Sequence, residues 1–287
     1  METMHLQLFP ISCIFFAIVS LISLPASLAQ GNEQYLNCSQ QFQCGNIQGI
    51  GYPFWGANRS QSCGHPSFFL DCTGEAPVLT IQTQPYRVLA IDNATHTLTA
   101  VREEFWNNDC PQYLYNATLD TDHFSYAADA EELVLHYGCT ALTPGITIPN
   151  EFSCLANGTN GTFGVYESSG VTTDVFNTTT SVSCGTSVSV WVNSTEGQSL
   201  GNSSSTSPGN LTRVVNSGLG LEWKANNTSC HLCVTSGGVC GSNSSYRSSF
   251  CLNQTSHFPI FVEKSDWTNG SRTCFLGQTR GIVKKMP

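Results

Sequence analysis

Short apolar runs separated by Gly, Pro and Asn set the pattern of the chain from residue 38 to about residue 109. Runs of this length that mix β-branched and aromatic residues favour strands, and turn residues at their ends favour hairpins. Strands are predicted at residues 68–70, 78–81, 86–91 and 97–101, with an Asp92-Asn93 turn between the last two. The pattern predicts a small antiparallel β domain.

Residues 110–251 continue the β-rich pattern, with strands predicted at residues 133–137, 188–192 and 218–223. Helix signals are scarce: residues 211–215 predict one short helix, and Glu131-Glu132 predict the start of another. Residues 193–210 are rich in Asn, Gly and Ser and predict an exposed, glycosylated loop. The predicted fold class is all-β with little helix, as two small disulfide-rich antiparallel β modules in tandem.

The N-terminal segment predicts export. Residues from Leu6 to Leu24 are nearly all apolar, and the small residues at 26–29 match a signal-peptidase site, which predicts a signal peptide over residues 1–29. A retained membrane anchor stays open as the alternative because the apolar run is long. No stretch after Gln30 approaches the ~20 apolar residues of a spanning helix. We expect a secreted protein, membrane-bound only if the leader is retained or a longer isoform exists.

Cysteine usage agrees with export, because disulfide-rich chains fold in the oxidising secretory pathway. Of the 14 cysteines, Cys13 lies in the predicted leader. Twelve are predicted to form disulfides with their pairing left open: Cys38, Cys44, Cys63, Cys72, Cys110, Cys139, Cys154, Cys184, Cys230, Cys233, Cys240 and Cys251. Cys274 leaves an odd number of thiols.

Charged residues make up only 11% of the chain, against roughly 25% in an ordinary soluble protein. Solubility then needs another source, and Asn-x-Ser/Thr sequons recur through the chain. The fifteen predicted glycosylation sites are Asn37, Asn58, Asn93, Asn116, Asn157, Asn160, Asn177, Asn193, Asn202, Asn210, Asn226, Asn227, Asn243, Asn253 and Asn269. Bulky glycans at these sites explain how so few charges suffice.

Catalytic and metal-binding interpretations are weaker than structural ones. Cys230-His231-Leu232-Cys233 with Cys240 has zinc-site spacing, but an oxidising compartment favours disulfides. The pairs Glu103-Glu104, Asp120-x-Asp122 and Glu131-Glu132 suit glycoside hydrolysis, yet neighbours on a strand point to opposite faces. Nucleotide-binding, kinase and G-x-S-x-G motifs do not occur. We expect no catalytic residue, no bound metal, no cofactor and no nucleic-acid partner.

A first motif set carries a family resemblance. It runs through Cys38 and Cys44-Gly45, then Tyr52-Pro53-Phe54-Trp55, then Cys63-Gly64-His65-Pro66, and ends at Cys72. This set resembles the galacturonan-binding module of plant wall-associated receptor-like kinases, and residues 86–91 also fit that module.

A second motif set contains Leu133-x-Leu135-x-Tyr137-Gly138-Cys139, residues 218–223, and the Cys230-x-x-Cys233 and Cys240-Gly241 pairs. It resembles the C-terminal module of the same kinases, most closely those of the leaf-rust-resistance type. The resemblance implies a galacturonan-binding-like module over residues 30–109, a C-terminal-like module over residues 110–252 and a poorly ordered basic tail over residues 253–287. Relatives usually carry cysteine at the position of Asn253, and they continue into a transmembrane helix and a Ser/Thr kinase that these residues lack.

The resemblance implies a non-catalytic extracellular ectodomain of the apoplast and cell wall that binds pectin, galacturonan or another cell-wall polysaccharide. Sugar recognition needs aromatic faces against pyranose rings and a few polar groups on the hydroxyls. The residues expected to bind ligand are Tyr52, Phe54, Trp55, Arg59, Tyr86, Arg87 and Trp106. The same aromatic block suits the core of a small domain equally well.

The charge of the first module restricts its ligand. Between residues 30 and 109 three arginines, Arg59, Arg87 and Arg102, stand against seven acidic residues, a net charge of −4. A polyanionic glycan would therefore require the three arginines on one face or bridging calcium, and a neutral glycan would require neither. The alternative function is a protein- or peptide-binding receptor ectodomain or soluble decoy, with other receptor ectodomains as partners.

Overall fold

The computed structural model describes residues 33–142, 144–145, 148, 150–154, 162–168, 182–201, 210–225, 227–243, 248–253 and 256–261. The predicted signal peptide, Cys274 and the basic tail beyond residue 261 lie outside them. Within these ranges the strands of every sheet pair antiparallel and the helices are short, which confirms the all-β fold class. None of the described helices combines the length and the apolar content needed to cross a bilayer.

A six-stranded sheet contains all four strands predicted in the first region. Its members are β3 (Leu70–Asp71), β4 (Val78–Ile81), β5 (Gln84–Asp92), β6 (Thr97–Arg102), β7 (Phe124–Tyr126) and β13 (Leu219–Trp223), in the order β3-β4-β5-β6-β13-β7. The strand predicted at residues 68–70 begins later than expected, because residues 66–68 form a 3-10 turn. A hairpin of β1 (Phe42–Cys44) and β2 (Ile47–Ile50) precedes this sheet in the chain.

One face of the six-stranded sheet buries the first core. Alternate residues of the strands, such as Leu79, Val88 and Leu98, point into it, as the period of two along a strand requires. The ring centroids of Phe68, just before β3, and Phe124, in β7, are 5.0 Å apart, so the two ends of the sheet approach each other. The apolar side chains therefore close around a single core.

The connection into β13 depends on one glycine. Gly218 has a φ of +74°, and a Cβ there would lie 2.8 Å from the carbonyl oxygen of Ala100. Only glycine permits this backbone conformation together with so close an approach. The residue therefore lets β13 lie directly beside β6.

A five-stranded sheet is built around β8 (Ala130–Ala141). The strands β12 (Thr186–Asn193) and β11 (Val182–Ser183) pair with one edge of β8, and β10 (Phe163–Ser168) pairs with the other, followed by β9 (Glu151–Phe152). The second core contains Leu133 and Leu135 from β8 and Val190 from β12, and Leu211, Val214 and Val215 of α3 (Asn210–Asn216) pack into it.

Two predictions for this region were wrong where the structure describes it: a helix start at residues 131–132 and the first part of the loop over residues 193–210, of which residues 202–209 lie outside the described residues. Glu131 and Glu132 do not begin a helix. They lie in β8, where successive side chains point to opposite faces, so that Glu131 is buried and Glu132 is exposed. Residues 194–201 form no loop; they form α2 (Ser194–Gly201). Asn193 Oδ1 accepts a hydrogen bond from the backbone N–H of Thr195 (3.0 Å), which caps the helix start, and Leu200 is buried.

The chain forms two compact units that interleave in sequence. Residues 42–58 and 67–225 form one, which holds the sheets above. The other contains α1 (residues 33–39), residues 59–66, α4 (Asn227–Thr235) and a sheet of β14 (Val239–Asn243), β15 (Ser248–Asn253) and β16 (Ser256–Phe261). Within the larger unit, β13 from the C-terminal half of the chain pairs with β6 from the N-terminal half. The boundary between the two sequence modules, at residues 109 and 110, is therefore not a boundary between the two compact units.

Six disulfides join the twelve cysteines named from the sequence. Within the larger unit they are Cys44–Cys72, Cys110–Cys154 and Cys139–Cys184; within the smaller unit they are Cys38–Cys63, Cys230–Cys240 and Cys233–Cys251. The smaller unit has few large apolar side chains in its described core, which consists of Cys38, Cys63 and Leu252 with Tyr35 and Val239 beside them. Covalent bonds therefore replace much of the packing that a larger core would supply.

Candidate ligand-binding face

Two of the residues expected to bind ligand lie in the first core. Phe54 is fully buried, and its ring meets those of Phe68 and Trp223 edge-on at centroid distances of 5.6 and 4.9 Å. Tyr86 is also buried, and burial raises its pKa to about 12. Both rings stabilise the fold from the inside, so the candidate face excludes them.

Tyr52 and Arg59 are held by backbone carbonyl groups. The Tyr52 hydroxyl donates to the carbonyl oxygen of Ala225 (3.2 Å). Arg59 is buried in the smaller unit, where its guanidinium donates to the carbonyl oxygens of Gln40 and Cys63, and burial lowers its pKa. These contacts assign both side chains a structural role.

Trp55 and Phe69 form an aromatic pair at the surface. A single parallel bridge places the two residues side by side, and their ring centroids are 4.6 Å apart. Phe69 is 47% exposed, so much of its ring is open to solvent. Phe69 was not among the residues expected to bind ligand, because it lies in the apolar run Phe68-Phe69-Leu70. The signal that could have identified it is the alternation of buried and exposed positions along a strand.

Strand register extends this pair into a continuous face. Asp71 is opposite Val78, and Val78 is opposite Arg87, so these three residues form a row across β3, β4 and β5. Phe69 precedes Asp71 by two residues and therefore points to the same side of the sheet. With three strand spacings of about 4.8 Å across the sheet and an offset of two residues along it, Trp55 and Arg87 are separated by roughly 16 Å. We call this surface the outer face: Trp55, Phe69, Asp71, Val78 and Arg87, with Glu103 and Trp106 at its end.

A cation, a carboxylate and an indole meet at the end of the outer face. Arg87 Nη2 donates to Glu103 Oε1 at 2.9 Å, and the Arg87 guanidinium carbon lies 5.1 Å from the centre of the Trp106 ring. All three side chains are partly exposed. Because Trp106 follows Glu103 in the 3-10 turn after β6, one turn of backbone positions both.

Arg102 does not join this cluster. Its side chain is 3% exposed, against 19% for Arg87. Arg102 pairs with Glu104 and donates to the carbonyl oxygen of Tyr115 (2.8 Å). Glu103 therefore neutralises Arg87, and Glu104 neutralises Arg102. Of these two arginines, Arg87 is the one that lies on the outer face.

A Ser-His-Asp arrangement precedes β7. His123 Nδ1 lies 2.7 Å from Asp120 Oδ2, and His123 Nε2 lies 3.5 Å from Ser67 Oγ. Burial opposes ionisation of Asp120, but the hydrogen bond and charge of the His123 side chain, together with the backbone N–H groups of Asp122 and His123, outweigh it and lower the Asp120 pKa. The His123 ring also packs edge-on against Phe68. We assign the group to holding the 120–123 turn, since the serine is at the limit of hydrogen-bond distance.

Cys230, Cys233 and Cys240 are disulfide-bonded, so they offer no thiolate to a metal. Within the described part of the chain, His, Cys, Asp and Glu side chains form no group of three or more arranged to hold a metal ion.

Predicted glycosylation sites occur at the surface of both units. Asn37, Asn58, Asn93 and Asn116 are exposed, whereas Asn193 and Asn210 are half-buried. The side chains of Asn227, Asn243 and Asn253 are not described. The remaining predicted sites lie outside the described residues: Asn157, Asn160, Asn177, Asn202, Asn226 and Asn269.

Two family models match the chain. Residues 38–102 match the wall-associated receptor kinase galacturonan-binding model, and residues 153–256 match the wall-associated receptor kinase C-terminal model. Trp55, Phe69 and Arg87 lie within the first match, and the disulfides of α4 lie within the second. The resemblance found from the motifs is confirmed.

Curated relatives in Arabidopsis thaliana share this region. Leaf rust 10 disease-resistance locus receptor-like protein kinase-like 2.1 is 27% identical over 86% of the chain. The kinase-like 2.5 and 2.4 proteins are 29% identical over 80% and 33% identical over 52% of it. The chain spans only 38%, 35% and 24% of the lengths of these relatives, respectively. No solved structure matches the chain.

Proposed function

Because the chain carries the galacturonan-binding and C-terminal modules of wall-associated receptor kinases, we propose that it is a secreted, glycosylated, non-catalytic ectodomain that binds a cell-wall polysaccharide. The name of the first module supports a sugar ligand, and the relatives are receptor kinases. A location outside the cell agrees with six disulfides in the structure.

The exposed aromatic pair of the outer face is the observation on which this proposal depends. A ring that is 47% exposed, beside a second partly exposed ring tilted 49° to it, offers apolar aromatic surface of the kind that pyranose faces cover. Arg87 and Glu103 lie along the same face and supply donors and acceptors for hydroxyl groups. A polysaccharide can therefore contact aromatic and polar groups along one line.

Binding to immobilised wall polysaccharides tests this proposal. The glycosylated protein, produced in plant cells, is passed over pectins, xyloglucan and xylan, and the double variant Trp55→Ala/Phe69→Ala is compared with the parent. We expect the double variant to lose at least about tenfold in affinity, because stacking of rings contributes roughly 1–3 kcal/mol in comparable contacts.

Tyr113→Ala is the matched control, because Tyr113 is an aromatic residue of the same unit that is 68% exposed and lies outside the outer face. Its affinity should equal that of the parent. Circular dichroism and thiol counts establish that each variant is folded and oxidised. Failure of the parent protein to bind any wall polysaccharide contradicts the proposal, as does equal binding by the double variant.

A protein partner is the second candidate, favoured by exposed aliphatic residues in the smaller unit. Leu232 and Val234 on α4 are 63% and 60% exposed. A receptor ectodomain or soluble decoy that recognises a protein would use such side chains. Leu232→Asp/Val234→Asp would then abolish binding to a partner receptor and leave polysaccharide binding unchanged.

A further inference from the structure

We propose that the polysaccharide is uncharged along the bound segment, as in methyl-esterified pectin or a neutral hemicellulose, and is not a free polyuronate. This inference rests on the proposed function and narrows its ligand class. It is carried by the distribution of charge in the larger unit and on the outer face.

Cations are scarce in the larger unit. Among its described residues, fifteen carboxylates stand against Arg87, Arg102, Arg213 and Lys224. Arg102 is buried against Glu104, and Arg213 pairs with Glu196. A free polyuronate carries one negative charge on every sugar, so the field of this unit repels it.

The outer face itself has no excess of positive charge among its described residues. Arg87 is its one cation, and Glu103 neutralises that cation at 2.9 Å. Asp71 adds a negative charge in the same row, two residues after Phe69. The backbone N–H of Thr73 donates to Asp71 Oδ1 (2.9 Å), which lowers the Asp71 pKa and keeps it ionised in mildly acidic surroundings.

Asp71 and a bound uronate would be close enough to repel each other. The residue is exposed on the same side of the sheet as the aromatic pair, and the electrostatic screening length is about 10 Å at 0.1 M salt. An esterified or neutral sugar avoids this repulsion and still offers its apolar face to Trp55 and Phe69 and its hydroxyls to Arg87 and Glu103. The face is therefore complementary to an uncharged pyranose chain.

Affinity for a series of homogalacturonan oligomers of one length tests the inference. The glycosylated protein is titrated with oligomers that range from fully de-esterified to fully methyl-esterified, and with xyloglucan oligomers of similar size. We expect at least tenfold tighter binding of the esterified form or xyloglucan than of the de-esterified form. Comparison of the two preferred probes distinguishes pectin from hemicellulose. Raising the salt concentration should leave their binding unchanged.

Asp71→Ser isolates the electrostatic contribution, because it removes the charge and keeps an oxygen that can accept from Thr73, whereas Asn before Cys72-Thr73 would create a new glycosylation sequon. The substitution should strengthen binding of the de-esterified oligomer roughly threefold, as expected for removal of one exposed like charge, and should not alter binding of the esterified one. Asp92→Ser is the matched control: the Asp92 carboxylate is exposed and accepts a backbone hydrogen bond two residues ahead, from Ala94, as Asp71 does from Thr73. Asp92 is five residues along β5 from Arg87, roughly 16 Å away, so it should have no effect.

The outcomes separate the two proposals. Tighter binding of the de-esterified oligomer, weakened by salt, would overturn the uncharged-ligand inference and leave polysaccharide binding intact. Weaker binding of that oligomer by Asp71→Ser would also overturn it, because it would make Asp71 a ligand contact through bridging calcium. Retention of no polysaccharide at all would overturn the proposed function itself.

Discussion

Adjacent aromatic residues in this protein have different environments. Phe54 points into the first core between Phe68 and Trp223, and Trp55 points to the outer face beside Phe69. The sequence places all of them in apolar runs between half-cystines. Residue type therefore predicts that an aromatic ring will either pack in the core or contact a ligand. Which of these roles it has depends on the side of the sheet to which it points.

This difference predicts unequal losses of stability from two neighbouring substitutions. Phe54→Ala should lower the free energy of unfolding by about 3–5 kcal/mol, because it leaves a cavity in a closed core. Trp55→Ala should lower it by at most about 1 kcal/mol, because the ring is already partly in water. Urea unfolding followed by fluorescence measures both values, and a larger loss for Trp55→Ala would show that the outer face is a core.

Asp109 is a carboxyl group whose ionisation opposes folding. Burial raises its pKa, although Thr212 Oγ1 donates a hydrogen bond to its Oδ2 (2.6 Å). The native state therefore keeps this proton at pH values where the unfolded chain, with a pKa near 3.9, has lost it. The contribution of Asp109 to stability is present below about pH 4 and is lost as the pH rises through the raised value.

Asp109→Asn cannot ionise and can still accept the hydrogen bond from Thr212. We expect the variant to be more stable than the parent near pH 7 and the difference to vanish below about pH 3. Urea midpoints measured across this range give the comparison, with exposed Asp122→Asn as the control. A variant that is less stable at neutral pH would contradict the assigned cause.

At the scale of elements, the motif around α4 and β14 has a steric reason. A Cβ on Gly238 would lie 2.6 Å from the sulfur of Cys251 and 2.7 Å from that of Cys233. No side chain fits beside this disulfide, which explains a glycine before the Val239-Cys240 pair. The sequence shows the glycine, and the disulfide it accommodates appears only in the fold.

Gly238→Ala should therefore prevent complete closure of the Cys233–Cys251 bond. We expect free thiols in the secreted variant that the parent does not have, and a loss of stability of about 2–4 kcal/mol, typical of a missing disulfide. Gly74→Ala is the control, since a Cβ there makes only an ordinary 3.6 Å contact. Thiol titration and peptide mapping without reduction measure the result; a fully oxidised Gly238→Ala protein would contradict the packing argument.

Helix α2 shows a second limit of element prediction. Low apolar content suggested a loop, but Asn193 caps the helix and Leu200 anchors it against the second core. One cap and one buried side chain outweigh the average polarity of the segment. The strands at residues 78–81, 86–91 and 97–101 were predictable because each has enough alternating apolar residues to define its own buried side.

At the scale of the whole molecule, β13 joins distant parts of the chain. Leu219, Leu221 and Trp223 complete the first core, and β13 covers the edge of β6 over residues 97–100. Residues 33–109 alone would leave this edge and the apolar side chains behind it in water. The galacturonan-binding model, which ends at residue 102, thus describes part of a core that residues 219–223 complete.

A fragment of residues 33–109 should therefore lack a cooperative unfolding transition, whereas residues 33–261 should unfold cooperatively. Circular dichroism melts and amide dispersion in NMR spectra provide the comparison. The variant Trp223→Ala in the longer protein should lower stability by about 3–5 kcal/mol through loss of the same packing. A fragment with native-like dispersion would contradict the dependence on β13.

The sequence by itself determined the all-β class, the positions of seven described strands including the long central ones, and the cysteines that form disulfides, because alternation along a strand and cysteine spacing are local properties. It also placed Trp55, Arg87 and Trp106 among the expected binding residues. Tertiary structure decided the pairing of the cysteines, the interleaving of the two units and the separation of Phe54 and Tyr86 from the outer face. These depend on strand register and on contacts between residues more than a hundred positions apart, such as β6 with β13, which no local pattern contains.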